Sequence, residues 1–187
     1  YRKDLEQQGV VFPEVHAPEK IYYPLDENLN ELYDRTIRML SNPNEGLTYF
    51  RYQAIKYLRP EKKKKYKKAD VISVQLATIM KTLLVKRIDS SFYAFKQSLK
   101  RYQEANHVML QMFDKGTIYI APNLKVNELL SNGKEEELIK LIDASIYADP
   151  TIEICTPDDF EPGFREGIEH DEMILKQLVA DWENIEE

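Results

Sequence analysis

Apolar residues recur at helical spacing along most of the chain. Asp26 is a suitable N-cap, and apolar side chains at 29, 32, 33, 37 and 40 follow it every three or four positions. This pattern predicts a helix that ends in the Asn-, Pro- and Gly-containing segment 41–46. Residues 47–58 predict a second helix, which Pro60 ends.

The clearest periodicity in the chain lies between residues 84 and 113. Apolar or small side chains alternate at spacings of four and three positions, at Leu84, Ile88, Ser91, Phe95, Ser98, Tyr102, Ala105, Met109 and Met112. Polar residues occupy the opposite face, so the pattern predicts one long amphipathic helix over about 84–113. This helix belongs to a longer helical stretch over 71–113. The alternative to one continuous helix is a break near 88–91. Gly116 is well placed as the residue that ends the helix.

The remaining segments predict short elements. Residues 21–25, 117–120 and 151–155 have the β-branched and aromatic composition of strands. Helical patterns cover 126–130 and 134–146, and a last helix starts at about residue 163. The predicted fold class is therefore mainly α: a helical bundle with one long amphipathic helix and only a few short strands.

Charged residues are distributed unevenly along the chain. Residues 51–115 hold 16 Lys/Arg and 5 Asp/Glu, a net +11, whereas residues 116–187 hold 5 and 18, a net −13. The overall net charge of −6 hides this asymmetry. A basic middle next to an acidic end predicts either a polyanionic partner or attraction between the two parts within one fold.

Three regions follow from these patterns: a Pro- and Gly-containing connector at 1–25, a basic helical region at 26–115 and an acidic helical region at 116–187. The chain begins at Tyr1 rather than Met and ends in helix-like sequence, so we expect a piece of a longer protein. The single cysteine, Cys155, and the lack of a signal peptide or of an apolar run long enough for a bilayer favour a cytoplasmic location and no membrane partner.

Motifs for catalysis are missing. The sequence has no phosphate-binding G-x-x-x-x-G-K-[ST] loop, no dinucleotide G-x-G-x-x-G and no C-x-x-C pair. We therefore predict no catalytic residue, no metal ligand and no cofactor in this chain. Residues 169–172 (EHDE) favour a solvated helix face over a metal site, and Cys155 favours a buried or idle thiol.

The basic middle supplies the candidate contacts. Phosphate-binding cations are predicted at Lys62, Lys63, Lys64, Lys65, Lys86, Arg87, Lys96, Lys100 and Arg101. Six lysines in the seven positions 62–68 also fit a solvated, mobile loop with no ligand. For Lys86 and Arg87, a phosphate and an internal partner are about equally good interpretations.

Residues 80–101, MKTLLVKRIDSSFYAFKQSLKR, resemble a stretch of large bacterial superfamily-two helicases of the Swi/Snf-like type. In those proteins the stretch lies between the two RecA-like motor lobes. Weaker similarity extends to 2–13, to 21–33, to 116–122 and to the region of Trp182. The lobes that bind ATP and Mg²⁺ in that family are not part of this chain.

The resemblance implies a non-catalytic, inter-lobe helical element of an ATP-dependent DNA helicase. The connector 1–25 would leave the first lobe, and 116–187 would lead towards the second. The RecA-like lobes of the same parent chain and double-stranded DNA would be its partners, with Lys86 and Arg87 in contact with phosphate or with a lobe carboxylate. The alternative is a protein–protein interaction module without nucleic-acid contact.

Overall fold

A computed structural model describes residues 5, 7–9, 17, 19, 24–66, 69–120 and 153–185. The elements in these ranges are α1 (Glu27–Ser41), a 3₁₀ helix (Phe50–Gln53), α2 (Pro60–Lys63), α3 (Ala69–Ser90), α4 (Phe92–Lys115), β1 (Ile118–Ile120), β2 (Glu153–Cys155), a second 3₁₀ helix (Pro157–Asp159) and α5 (Phe164–Trp182). The predicted class, mainly α with few short strands, is confirmed. The predicted helices 126–130 and 134–146 and most of the predicted strand 21–25 lie outside the described residues.

Local signals explain where the helices begin and end. Asp26 caps α1 by accepting a hydrogen bond from the backbone N–H of Leu29 at 2.9 Å. Gly116 follows α4 in the left-handed conformation with φ 75°. The second 3₁₀ helix has a capping box, in which Thr156 and Asp159 bond each other's side chain and backbone.

The stretch predicted as one long helix over 84–113 is divided at Ser91. Ser91 is extended, and its Oγ accepts a hydrogen bond from the backbone N–H of Ala94 at 3.2 Å. This N-cap starts a new helix, so α3 and α4 form a helical hairpin. The break falls at the end of the alternative range 88–91.

The predicted helix over 47–58 is wrong beyond a single 3₁₀ turn. Tyr49 adopts the left-handed conformation with φ 58°, which an α-helix cannot include. The segment is held instead by tertiary contacts, since Leu47, Tyr49 and Tyr52 are buried in the core.

The core has two parts. One cluster joins α1, α3, α4 and the C-terminal half of α5 around Trp182, whose ring meets Phe92 and Phe95 edge-on at 5.1 and 5.2 Å between centroids. The other joins the N-terminal half of α5 to the end of α4 and to the antiparallel pair β1–β2, in which Ile118 is opposite Cys155. Cys155 is buried, as predicted. α5 thus packs along α4 and links both clusters.

Candidate nucleic-acid interface

The α3–α4 hairpin positions most of the predicted cations. Lys86 and Arg87 lie in the last turns of α3, and Lys96, Lys100 and Arg101 lie in the first turns of α4. The reversal at Ser91 brings the end of α3 beside the start of α4, because the Nη1 of Arg87 donates a hydrogen bond to the Oγ of Ser98 eleven positions later. The hairpin therefore brings Arg87 of α3 into one groove with Arg101 of α4, whereas Lys96 and Lys100 lie on the side of α4 that faces α5.

Four of these cations face solvent or the edge of the hairpin. Lys86, Lys100 and Arg101 are exposed, and Arg87 is half-buried. Within the described ranges, no Asp or Glu carboxylate lies within ion-pair distance of Arg87, Lys100 or Arg101. The guanidinium groups and the Lys100 ammonium keep donors available for an anion.

Lys96 has a structural role instead. Its Nζ donates a hydrogen bond to the backbone carbonyl of Ile185 at 2.6 Å, just beyond the end of α5. The side chain is half-buried by this contact. Lys96 therefore helps hold the C-terminal end of α5 against α4.

The lysine segment is only partly the solvated loop that its composition predicts. Residues 60–63 form the short helix α2. The Nζ of Lys62 lies 2.8 Å from Oδ2 of Asp159 and 3.2 Å from the carbonyl of Ile154, and the Nζ of Lys63 donates to the carbonyl of Lys56 at 2.9 Å. Lys64 and Lys65 are exposed. Lys62 and Lys63 thus bind the protein itself.

The Lys62–Asp159 pair also connects the basic middle to the acidic end. Burial acts to raise the pKa of Asp159, but hydrogen bonds from Lys62 and Thr156 outweigh it and hold that pKa below its ordinary value of 3.8. The carboxylate is therefore ionised at neutral pH. The Lys62–Asp159 pair is therefore one attractive contact between the basic middle and the acidic end of the chain.

The sequence pattern did not identify three residues beside Arg87 and Arg101. Tyr52, Ser98 and Tyr102 line the same groove between α3 and α4 as the two arginines. The rings of Tyr52 and Tyr102 stack with centroids 5.4 Å apart and planes 16° apart. The serine at 91 was a usable signal, because a reversal there places residues 87 and 98 opposite each other.

Residues 169–172 form the predicted solvated helix face only in their first half, since Glu169 is exposed and His170 is half-buried. Asp171 and Glu172 are buried, with 1% and 5% of their surface exposed. Asp171 accepts hydrogen bonds from the backbone N–H groups of Thr48 and Phe50, at 2.8 and 2.9 Å, and from the Thr48 hydroxyl at 2.9 Å. It therefore caps the first 3₁₀ helix from a distant part of the chain.

The same three bonds influence the charge of Asp171. Burial raises the pKa of Asp171 above its ordinary value, against the effect of the bonds from Thr48 and Phe50 and of His170 nearby. The Nδ1 of His170 lies 3.8 Å from Oδ1 of Asp171. Asp171 is thus a structural carboxylate that accepts hydrogen bonds from two backbone N–H groups and one hydroxyl.

The carboxylate of Glu172 is held by two side chains of α4 and by Lys176 of its own helix, α5. Oε1 accepts from Nε2 of Gln103 at 2.9 Å, Oε2 accepts from Nδ2 of Asn106 at 3.0 Å, and the Nζ of Lys176 lies 3.3 Å from Oε1. Burial acts to raise the pKa of Glu172, but the bonds from Asn106, Gln103 and Lys176 outweigh it and lower that pKa from its ordinary value of 4.5. Glu172 thus fixes the register of α5 on α4.

Across the described ranges, no group of three or more His, Cys, Asp and Glu side chains is arranged to hold a metal ion. No helix in those ranges is both long enough and apolar enough to cross a membrane. Comparison with known proteins adds no relative: no protein-family model, no curated protein and no solved structure matches this chain.

Proposed function

We propose that this chain is a non-catalytic helical element lying between the two RecA-like lobes of an ATP-driven DNA helicase or translocase. Its α3–α4 hairpin would contact the DNA backbone, while the parent's lobes would bind ATP and Mg²⁺. The cytoplasm is the proposed location.

The DNA contact is inferred from the positions of the cations in the α3–α4 hairpin. Arg87 and Arg101 line the same groove between α3 and α4, Lys100 lies elsewhere on α4, and no carboxylate of the described ranges is within ion-pair distance of these three cations. Lys62, Lys63 and Lys96, by contrast, bind the protein's own carboxylate or carbonyl groups. A polyanion would satisfy the charges that the fold does not.

The inter-lobe position is supported by the residues that resemble the Swi/Snf-like helicases. The stretch 80–101 contains the end of α3, the reversal at Ser91 and the start of α4. Phe92 and Phe95, both within it, pack on Trp182 of α5. The resembling stretch is therefore the corner of a hairpin that is packed on a third helix, which suits an element that must keep its shape between two moving lobes.

A titration of fluorescent duplex DNA with the 187-residue chain tests the contact. We expect binding at low salt that weakens steeply as salt is raised, because each phosphate contact releases a counterion. Calorimetry with Mg²⁺-ATP should give neither binding nor turnover. Turnover by the isolated chain would overturn the non-catalytic role, and failure to bind duplex at any salt concentration would overturn the DNA contact.

The second candidate is a protein–protein interaction module, and α3 supplies the observation that favours it. Apolar residues are spread around α3 rather than confined to one face, and Val71 and Val74 are 53% and 49% exposed. Exposed aliphatic side chains on a helix suit a protein partner. An absence of DNA binding, together with salt-insensitive binding to a separately produced RecA-like lobe, would favour this candidate.

A further inference from the structure

A narrow groove separates α3 from α4 on the side of the first 3₁₀ helix. Its floor is apolar and aromatic, formed by Tyr52, Met80, Leu83, Leu84 and Tyr102. Its polar side chains are Arg87, Ser98 and Arg101. We propose that this groove holds one backbone phosphate of a nucleic acid between Arg87 and Arg101. The identity of the ligand rests on the proposed function, whereas the anion site itself rests on the groove.

Arg87 is oriented before any ligand arrives. The Oγ of Ser98 donates its proton to the carbonyl of Ala94 at 2.8 Å, so its lone pairs are available to accept from the Nη1 of Arg87. A guanidinium has five N–H donors, and this bond uses one of them. The fixed guanidinium plane can then meet two phosphate oxygens with little further loss of side-chain freedom. Ser98 is thus a positioning residue for Arg87.

No Asp or Glu is among the described residues that line the groove, although Asp171 lies close enough to act on Tyr102. Asp89, two residues after Arg87, accepts a hydrogen bond from the hydroxyl of Tyr33 on α1. Burial raises the pKa of Tyr102 well above its ordinary value, so this phenol stays neutral. The two arginines are therefore the charged side chains among the described lining residues, in a partly desolvated setting where an anion is bound more strongly than on an open surface.

The size of the groove limits what can enter. The space within it is about 20 Å³, little more than the roughly 10–15 Å³ that one water molecule requires. About one phosphate oxygen fits this space, but a base or a nucleoside does not. The polymer must therefore run across the mouth of the groove, with only phosphate oxygen directed inward. Such contacts bind the backbone and do not read the base sequence.

The salt dependence of DNA binding tests the groove. The double variant Arg87→Gln/Arg101→Gln is compared with Arg38→Gln/Lys115→Gln, which removes the same charge from two exposed positions outside the groove. Because the two arginines share one phosphate, its loss should reduce the slope of log K against log salt by about 1 in the groove variant, and the control should keep the slope of the unsubstituted chain. Ser98→Ala, which removes no charge, should weaken binding roughly two- to tenfold.

A second measurement needs no substitution. Inorganic phosphate is titrated into the unsubstituted chain while the Nε–Hε resonances of its arginines are followed by NMR. The resonances of Arg87 and Arg101 should shift over the same range of phosphate concentration, and those of Arg38 and Arg165 should shift less.

The outcomes separate the two proposals. If the chain binds DNA but both double variants show equal slopes, the groove inference is wrong and the DNA contact stands. If the chain does not bind DNA but phosphate shifts the resonances of Arg87 and Arg101, the groove is an anion site and the proposed DNA contact is wrong. If the chain does not bind DNA and phosphate does not shift the resonances of Arg87 and Arg101, both proposals are wrong.

Discussion

Oδ1 of Asp171 accepts hydrogen bonds from both the backbone N–H and the hydroxyl of Thr48, although 123 positions separate the two residues. The bonds connect the middle of α5 to the turn before the first 3₁₀ helix. That turn leads to Tyr52, which lines the groove between α3 and α4. A buried carboxylate on one helix thereby positions an aromatic side chain of the candidate interface.

Replacing Asp171 should cost stability. Asp171→Ala leaves the N–H groups of Thr48 and Phe50 without their acceptor in a buried site, at a cost of about 1–3 kcal/mol for each unsatisfied group. Urea denaturation followed by circular dichroism measures the loss. Asp158 is an exposed carboxylate of the same acidic region, 116–187. Asp158→Ala should change the free energy of unfolding by less than about 0.5 kcal/mol. Equal values for the two variants would contradict the capping role.

Glu172 should make stability depend on pH. Its pKa is lower in the folded protein than the ordinary 4.5, so its contribution to the free energy of unfolding is present above pH 4.5 and is lost as the pH falls through the folded pKa. The stability difference between the unsubstituted chain and Glu172→Gln should therefore shrink below pH 4.5. Urea titrations at a series of pH values test this.

The exposed Glu104 provides the matched control for Glu172. The same urea titrations with Glu104→Gln should show a much smaller pH-dependent difference. Asp171 affects stability in the opposite direction. Because its pKa is raised in the folded protein, its ionisation lowers the free energy of unfolding as the pH rises above 3.8. A Glu172→Gln difference that grows on acidification would contradict the lowered pKa.

Gly167 should not tolerate alanine, despite its place inside a helix. A Cβ there would lie 2.4 Å from the ring of Phe50. Gly167→Ala should therefore destabilise the fold by about 1–3 kcal/mol, although alanine in a helix usually gains about 1 kcal/mol over glycine. In a Phe50→Ala background the clash is gone, and the same substitution should become stabilising. Thermal denaturation of the four proteins in this cycle measures the coupling, and simple additivity would contradict it.

The indole of Trp182 depends on Thr36. Its Nε1 donates to Oγ1 of Thr36 at 2.8 Å, and both residues are fully buried. Thr36→Val keeps the shape but leaves the indole N–H unsatisfied, which should cost about 1–3 kcal/mol. Thr36→Ser retains the acceptor and should avoid most of that penalty. Since Trp182 is the only tryptophan, its fluorescence during denaturation reports the change directly.

The amino-acid sequence by itself determined the class of the fold and the local ends of its elements. Periodic apolar residues located α1, α4 and α5, because a helix must bury one face whatever it packs against. Asp26 and Gly116 marked helix ends, because their effect acts within one turn of the chain.

Only the tertiary structure decided which polar residues serve the fold and which remain available. Lys62, Lys96 and Asp171 have the composition of surface residues, yet each binds a group that is distant in sequence. Arg87 and Arg101 share a groove because the chain reverses at Ser91. The physical reason is that hydrogen bonds and ion pairs depend on the distance between atoms in space, which the pattern of single positions along a chain does not contain.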